Sequence, residues 1–220
     1  MRPVRIWFRK VGTARYISHL DLNRCMARAI HRAKIPLWYT QGFNPRAFLT
    51  FALPLSLGVA GERESVDIKL DDEGTMTDKE IIARLNEALP DDIPVFAVTE
   101  PVMKPGKIAY ASYELTLDPE GRDAEETAGR IAALLQSETL VVPKHTKSGF
   151  VDFDIRPYLD HVRVFTENGQ VRISAILPAG STMNVNPTLM LDAVKAELGL
   201  DLYAQIRRTD LYDENLKNFA

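Results

Sequence analysis

The chain holds a single cysteine, Cys25, among 220 residues. One thiol forms no intrachain disulfide and supplies too few thiolates for a complete iron–sulfur site. Zinc-ligand spacing, a phosphate-binding P-loop, a dinucleotide glycine fingerprint and an HExxH helix are also missing, so no metal site and no cofactor-driven chemistry are expected of this chain alone. No apolar run approaches the roughly 18 residues that span a bilayer, and Met1 to Lys10 carries no apolar core of a signal peptide. A cytoplasmic protein is expected. Acid is scarce in one region only. The first fifty residues carry ten Lys or Arg and one acid, Asp21, a local charge of +9 in a chain of net charge −3. The remaining positions hold 17 basic and 29 acidic residues, or −12. Such segregation reserves a surface for an anionic partner, and nucleic acid is the first candidate.

Hydrophobic periodicity places the elements. Residues 4 to 10 alternate apolar and basic positions, which predicts a strand with Val4, Ile6 and Phe8 inward and Arg5 and Arg9 outward. Ser18 and Asp21 resemble a capping box, and Leu22, Cys25, Met26, Ala29, Ile30 and Ala33 recur at helical spacing, predicting a helix over 18–34. Further strands are predicted at 37–40, 47–57, 65–70 and 94–99, with a helix from Thr77 or Asp78 to Leu89. After the linker-like residues 101–107 the order starts again. A strand at 109–117, a helix at 123–135, a strand at 140–142 and a loop at 143–149 lead to strands 161–165 and 170–176. These two flank the hairpin signal Asn168-Gly169. Asn186-Pro187 opens a helix to Leu198, Gly199 stops it, and a last strand covers 203–211. The predicted fold is α+β: two tandem ferredoxin-like (βαββαβ) units, antiparallel sheets with helices packed on one face. The expected domains are a basic one at 1–103 and an acidic one at 108–220.

Arg24, Arg28 and Arg32 fall at i, i+4 and i+8, one stripe of guanidinium groups with Cβ atoms about 5–6 Å apart, comparable to phosphate spacing. Arg15 and Arg46 lie in the same unit. Trp38, Tyr39 and Phe43 follow, and aromatic side chains among basic ones are how single-stranded RNA surfaces stack bases. His19, at the helix start, and His31, near its end, are candidate acid or base groups for attack by a ribose 2′-hydroxyl. Ser18, Asp21, Gly42 and Asn44 set the local turns. In the second half Lys144, Lys147, Ser181 and Thr182 form a candidate anion loop ahead of the helix opened by Asn186.

Phe8 through Gly12, Tyr16-Ile17-Ser18-His19-Leu20-Asp21, Gln41-Gly42-Phe43-Asn44-Pro45-Arg46, Phe51-Ala52-Leu53-Pro54-Leu55 and Gly58 resemble the bacterial radical-SAM-linked family. The resemblance continues at Lys147, Val151 to Pro157, Gly180-Ser181, Asn184 and Pro187. Other members often carry Gly and Ser where this chain has Ser18 and Asn44. The resemblance implies a radical SAM partner that holds the iron–sulfur cluster and SAM, with no cofactor in this chain. The leading expectation is an RNA-binding accessory subunit presenting transfer or ribosomal RNA to that enzyme, with Arg24, Arg28, Arg32 and Arg46 on the backbone and Phe43 on a base. Two alternatives stand beside it. One is a metal-independent endoribonuclease of the tandem ferredoxin-like type, and the other is a protein-interaction module for the radical SAM partner without RNA contact.

Overall fold

The computed structural model describes residues 1–41, 43, 45, 47–71, 76–146 and 149–220. The chain divides into two compact units, Met1–Ile108 with Asn218–Ala220, and Ala109–Lys217. The architecture is α+β, with antiparallel strand pairing throughout the described sheets of each unit.

The first unit runs β1 (Arg2–Lys10), α1 (His19–Arg32), β2 (Leu49–Phe51), β3 (Ala60–Leu70), α2 (Asp78–Ala88) and β4 (Val95–Thr99). Its strand order is β4-β1-β3-β2. The register sets Val4 opposite Ile68 and Ile6 opposite Val66, so these apolar side chains share a face. That face joins Leu22, Met26, Ala29 and Ile30 of α1 and Ile81 and Leu85 of α2 in one core. Burying each large aliphatic side chain there contributes about 1.5–3 kcal/mol. Thr77 caps α2 with a complete capping box, its hydroxyl accepting from Glu80 N while the Glu80 carboxylate accepts from Thr77 N.

The opposite face of β1 departs from expectation. Arg5 is fully buried rather than outward. Its guanidinium donates to both carboxylate oxygens of its cross-strand partner Asp67, at 2.7 and 2.8 Å, and to Met103 O at 2.7 Å. It also lies 4.1 Å from the ring centroid of Phe219, which packs edge-on to Trp7. Phe219 and Trp7 are themselves buried, which is why the last three residues belong to this unit and not to the C-terminal half. Alternation tells which face a side chain takes, and here the second face is covered as well.

The second unit runs β5 (Tyr110–Leu117), α3 (Ala124–Leu135), β6 (Val141–Thr146), β7 (Gly149–Asp154), β8 (Val162–Glu167), β9 (Gln170–Pro178), α4 (Thr188–Leu198) and β10 (Ala204–Tyr212). Its main sheet has the order β10-β5-β9-β8. Asn168 and Gly169 both take positive φ, 52° and 75°, in the tight turn joining β8 to β9, as the Asn-Gly pair predicts. Residues 143–146 and 149, expected within a loop, instead lie in the strands of a separate two-stranded sheet, β6-β7. Between Leu37 and Thr40 no regular strand forms. Isolated bridges join Leu37 to Leu70 and Tyr39 to Ala47. The expected 47–57 strand shortens to β2, while β3 begins five residues earlier than the expected Ser65.

Candidate functional site

The approach to α1 is built by buried and charged groups acting on the backbone. Asp92 accepts from Thr13 N at 2.7 Å and from Thr13 Oγ1 at 2.5 Å. The Thr13 hydroxyl and amide together hold its carboxyl below the ordinary range. Gly12 sits beneath that carboxylate at φ +50°, and a Cβ there would overlap it. Lys10, one of the ten cations of the first fifty residues, is fully buried and donates to Ile17 O at 2.9 Å and Arg15 O at 3.3 Å. Gly58 N donates to Arg15 O at 2.8 Å, tying the segment before β3 to the same turn. Ser18 then caps α1, accepting from Asp21 N at 3.1 Å and donating to Asp21 Oδ2 at 2.7 Å. Asp21 is thus the partner the sequence predicts, although it closes the cap through the Ser18 hydroxyl.

The ten cations of the first fifty residues have unequal freedom. Arg2 donates to Asp78 and Met76 O, Arg5 and Lys10 are buried, and Arg9 pairs with Glu62 at 3.3 Å. Arg15 lies over the Tyr16 ring at 4.7 Å. Along α1, Arg24, Arg28 and Arg32 all face solvent. Arg24 reaches Asp21 at 3.3 Å, and Arg32 donates to Ala88 O at 2.5 Å, where a cation complements the C-terminal end of α2. Arg28 makes no hydrogen bond or ion pair among the described residues. Lys34, just past α1, is likewise exposed and free among them. The stripe is therefore real in placement, but its Arg32 end also serves the fold.

The aromatic residues divide in the same way. Trp38 is half-buried against Phe48, ring centroids 6.2 Å apart, with the Lys69 ammonium 4.7 Å from Phe48 and 5.2 Å from Trp38. Tyr39 and Phe43 are exposed, at 45% and 107%, as is Tyr16 at 58%. Arg46, Gly42 and Asn44 lie outside the described residues. His19 packs edge-on to Phe51, centroids 5.2 Å apart, while His31 is exposed. The two histidines stand at opposite ends of α1, about 18 Å apart along the axis at an ordinary helical rise. They do not form an acid–base pair with each other.

The structure describes three of the four residues of the second-half anion loop. Lys144 lies in β6, where its ammonium donates to Asn184 O at 2.8 Å and rests 4.2 Å from the Phe153 ring centroid. Ser181 and Thr182 are exposed, and Lys147 lies outside the described residues. Pro187 already has helical torsions and Asn186 Oδ1 accepts from Thr188 N at 3.1 Å, so the Asn186 side chain performs the capping that the sequence predicts. Among the described residues no three His, Cys, Asp or Glu side chains gather as a metal ion would require, and no helix is long and apolar enough to cross a membrane.

Fold and site together define an α+β protein of two units with an exposed, arginine-bearing helix in the first. Residues 3–187 match the family described as an uncharacterised protein conserved in bacteria (DUF2344). The chain belongs to that family. It is also similar to a solved structure described as an unknown protein from Galdieria sulphuraria, at 11% identity and a TM-score of 0.28, over 94% of this chain and 98% of that one. No curated protein matches the sequence.

Proposed function

We propose that the protein is an RNA-binding accessory subunit that presents transfer or ribosomal RNA to a radical SAM modifying enzyme, the partner holding the iron–sulfur cluster and SAM. In this reading each unit is a ferredoxin-like βαββαβ fold, the strand path 4-1-3-2 recurring in both, and the β6-β7 hairpin is an insertion in the second. The observation that carries the RNA reading is the solvent face of α1. Arg24 and Arg28 stand one helical turn apart, and Arg28 has no internal partner among the described residues. Two guanidinium groups with Cβ atoms about 6 Å apart match successive phosphates and repel each other slightly until an anion arrives. Phe43 and Tyr39 supply exposed rings that a splayed base could stack on. Lys10, Asp92 and Ser18 act as positioning residues, since they fix the turn that aims α1.

Crosslinking the protein to RNA in cells, then sequencing the RNA and mapping the crosslinked peptide, tests this directly. Crosslinks within residues 15–50 are expected. Crosslinks confined to the second unit would remove the site assignment. Co-purification with a radical SAM protein that survives ribonuclease, with no RNA bound by the complex, would favour a protein-interaction role instead.

A further inference from the structure

A groove of about 640 Å³ opens where α1 ends, lined by Ile30, His31, Arg32, Lys34, Ile35, Pro36, Leu37 and Tyr39. Its floor is apolar and its charged lining is of one sign, with no carboxylate among the lining residues. The volume is that of an ordinary small-ligand site.

Lys34 makes this groove more than a gap at a helix end. Its φ is +52°, the left-handed conformation that glycine adopts without penalty. Lys34 N donates to His31 O and Ile35 N to Ile30 O, the two bonds of a Schellman stop, in which glycine is the usual residue at this position. The chain holds an unfavourable residue here, and among the described residues its ammonium has no hydrogen-bond or ion-pair partner. Lys34 lines the groove together with Arg32 and His31, and backbone strain kept at such a position motivates a functional reading. Arg32 gives one N–H to Ala88 O, and the guanidinium has others to offer.

We infer that this groove binds the terminal phosphomonoester of a nucleotide, with Lys34, Arg32 and His31 around the phosphate and Tyr39 against the base or ribose. A monoester carries about −1.5 to −2 charges and three acceptor oxygens at neutral pH, whereas a diester within a strand carries one charge. Two cationic side chains and an imidazole lining one groove suit the first better. The inference deepens the RNA reading by adding an end-specific contact to the backbone contacts of Arg24 and Arg28, and it rests on that reading.

Fluorescence anisotropy with three short oligouridylates tests it: 5′-phosphorylated, 3′-phosphorylated and unphosphorylated, with uridine 5′-monophosphate as competitor. Binding of one phosphorylated form about tenfold tighter than the unphosphorylated form is expected. The decisive variant is Lys34→Gly, which relieves the backbone and so keeps the fold. It should raise the melting temperature while abolishing the phosphate preference. Equal affinity for all three oligomers, or a preference unchanged in Lys34→Gly, overturns the inference. Arg24→Ala with Arg28→Ala should weaken all three oligomers alike and leave their ratio intact. If no oligomer binds but the mononucleotide does, with affinity lost in Lys34→Gly, the phosphate site stands and the RNA reading falls.

Discussion

Replacing Arg5 by methionine should destabilise the first unit by about 3–5 kcal/mol. Arg5 is fully buried, and Asp67, whose side chain is 15% exposed, receives both of its strong hydrogen bonds from it. Methionine preserves much of the volume but leaves the carboxylate desolvated and unpaired, the situation in which breaking a buried ion pair costs most. The contact with Phe219 adds about 0.5–2 kcal/mol of cation–π attraction to the loss. Removing both charges, in Arg5→Met with Asp67→Leu, should restore most of the stability, with the two changes coupled by at least about 1 kcal/mol. Urea unfolding followed by Trp7 fluorescence reads this unit locally, because Trp7 lies in the Arg5–Phe219 cluster. Trp38 is the only other tryptophan, and Trp38→Phe silences it. At a slope of about 1.5 kcal/mol per molar urea, a loss of about 4 kcal/mol moves the midpoint by roughly 2.7 M. A single-variant loss below about 1 kcal/mol, or a double variant no more stable than Arg5→Met, would refute the reasoning.

Phe219→Ala should lower the same Trp7 transition by about 3–5 kcal/mol, since its ring is fully buried against Trp7 and Arg5; an unchanged midpoint would show that the C-terminal residues do not cover that face. Asp92→Asn should be less stable than the parent protein at neutral pH. The native carboxyl titrates below its ordinary 3.8, so its stabilisation is present above that value and fades as pH falls through the lowered native value. Thermal melts of the two proteins should therefore converge in acid, and a gap of constant size would assign the effect to lost packing. Thr77→Ala, which opens the α2 capping box, should cost about 0.5–2 kcal/mol in the same urea assay.

Much of the first unit is legible because its signals are local. Ser18 and Asp21 announce the start of α1, the apolar positions from Leu22 to Ile30 give its buried face, and Thr77 announces α2. Arg5 shows where such reading stops. Its alternation with Val4 and Ile6 places it on the second sheet face, but whether water reaches that face depends on Phe219, more than two hundred residues along the chain. Trp7, an apolar residue on the same face, is the sequence sign that this face is covered. Composition hides the β6-β7 pair, since Lys144, His145 and Thr146 read as loop and gain their strand geometry only from pairing with Val151, Phe150 and Gly149. The candidate site divides likewise. Helical spacing alone places Arg24 and Arg28, while the commitment of Lys10 to carbonyl groups and of Arg32 to the end of α2 is a tertiary matter. The left-handed backbone at Lys34 has no signature in a lysine codon, and Tyr39 joins the groove only through the chain reversal after α1.

The central claim is that the exposed face of α1 meets RNA phosphates, and salt dependence measures that contact most directly. Binding of single-stranded RNA to the intact chain, titrated from low to high salt, should weaken with a log–log slope of about −0.7 for each phosphate engaged. Arg24→Ala with Arg28→Ala should reduce affinity and make that slope shallower by about 1.4, the release expected from two contacts. Binding that ignores salt, or a double variant with unchanged slope and affinity, would contradict the account.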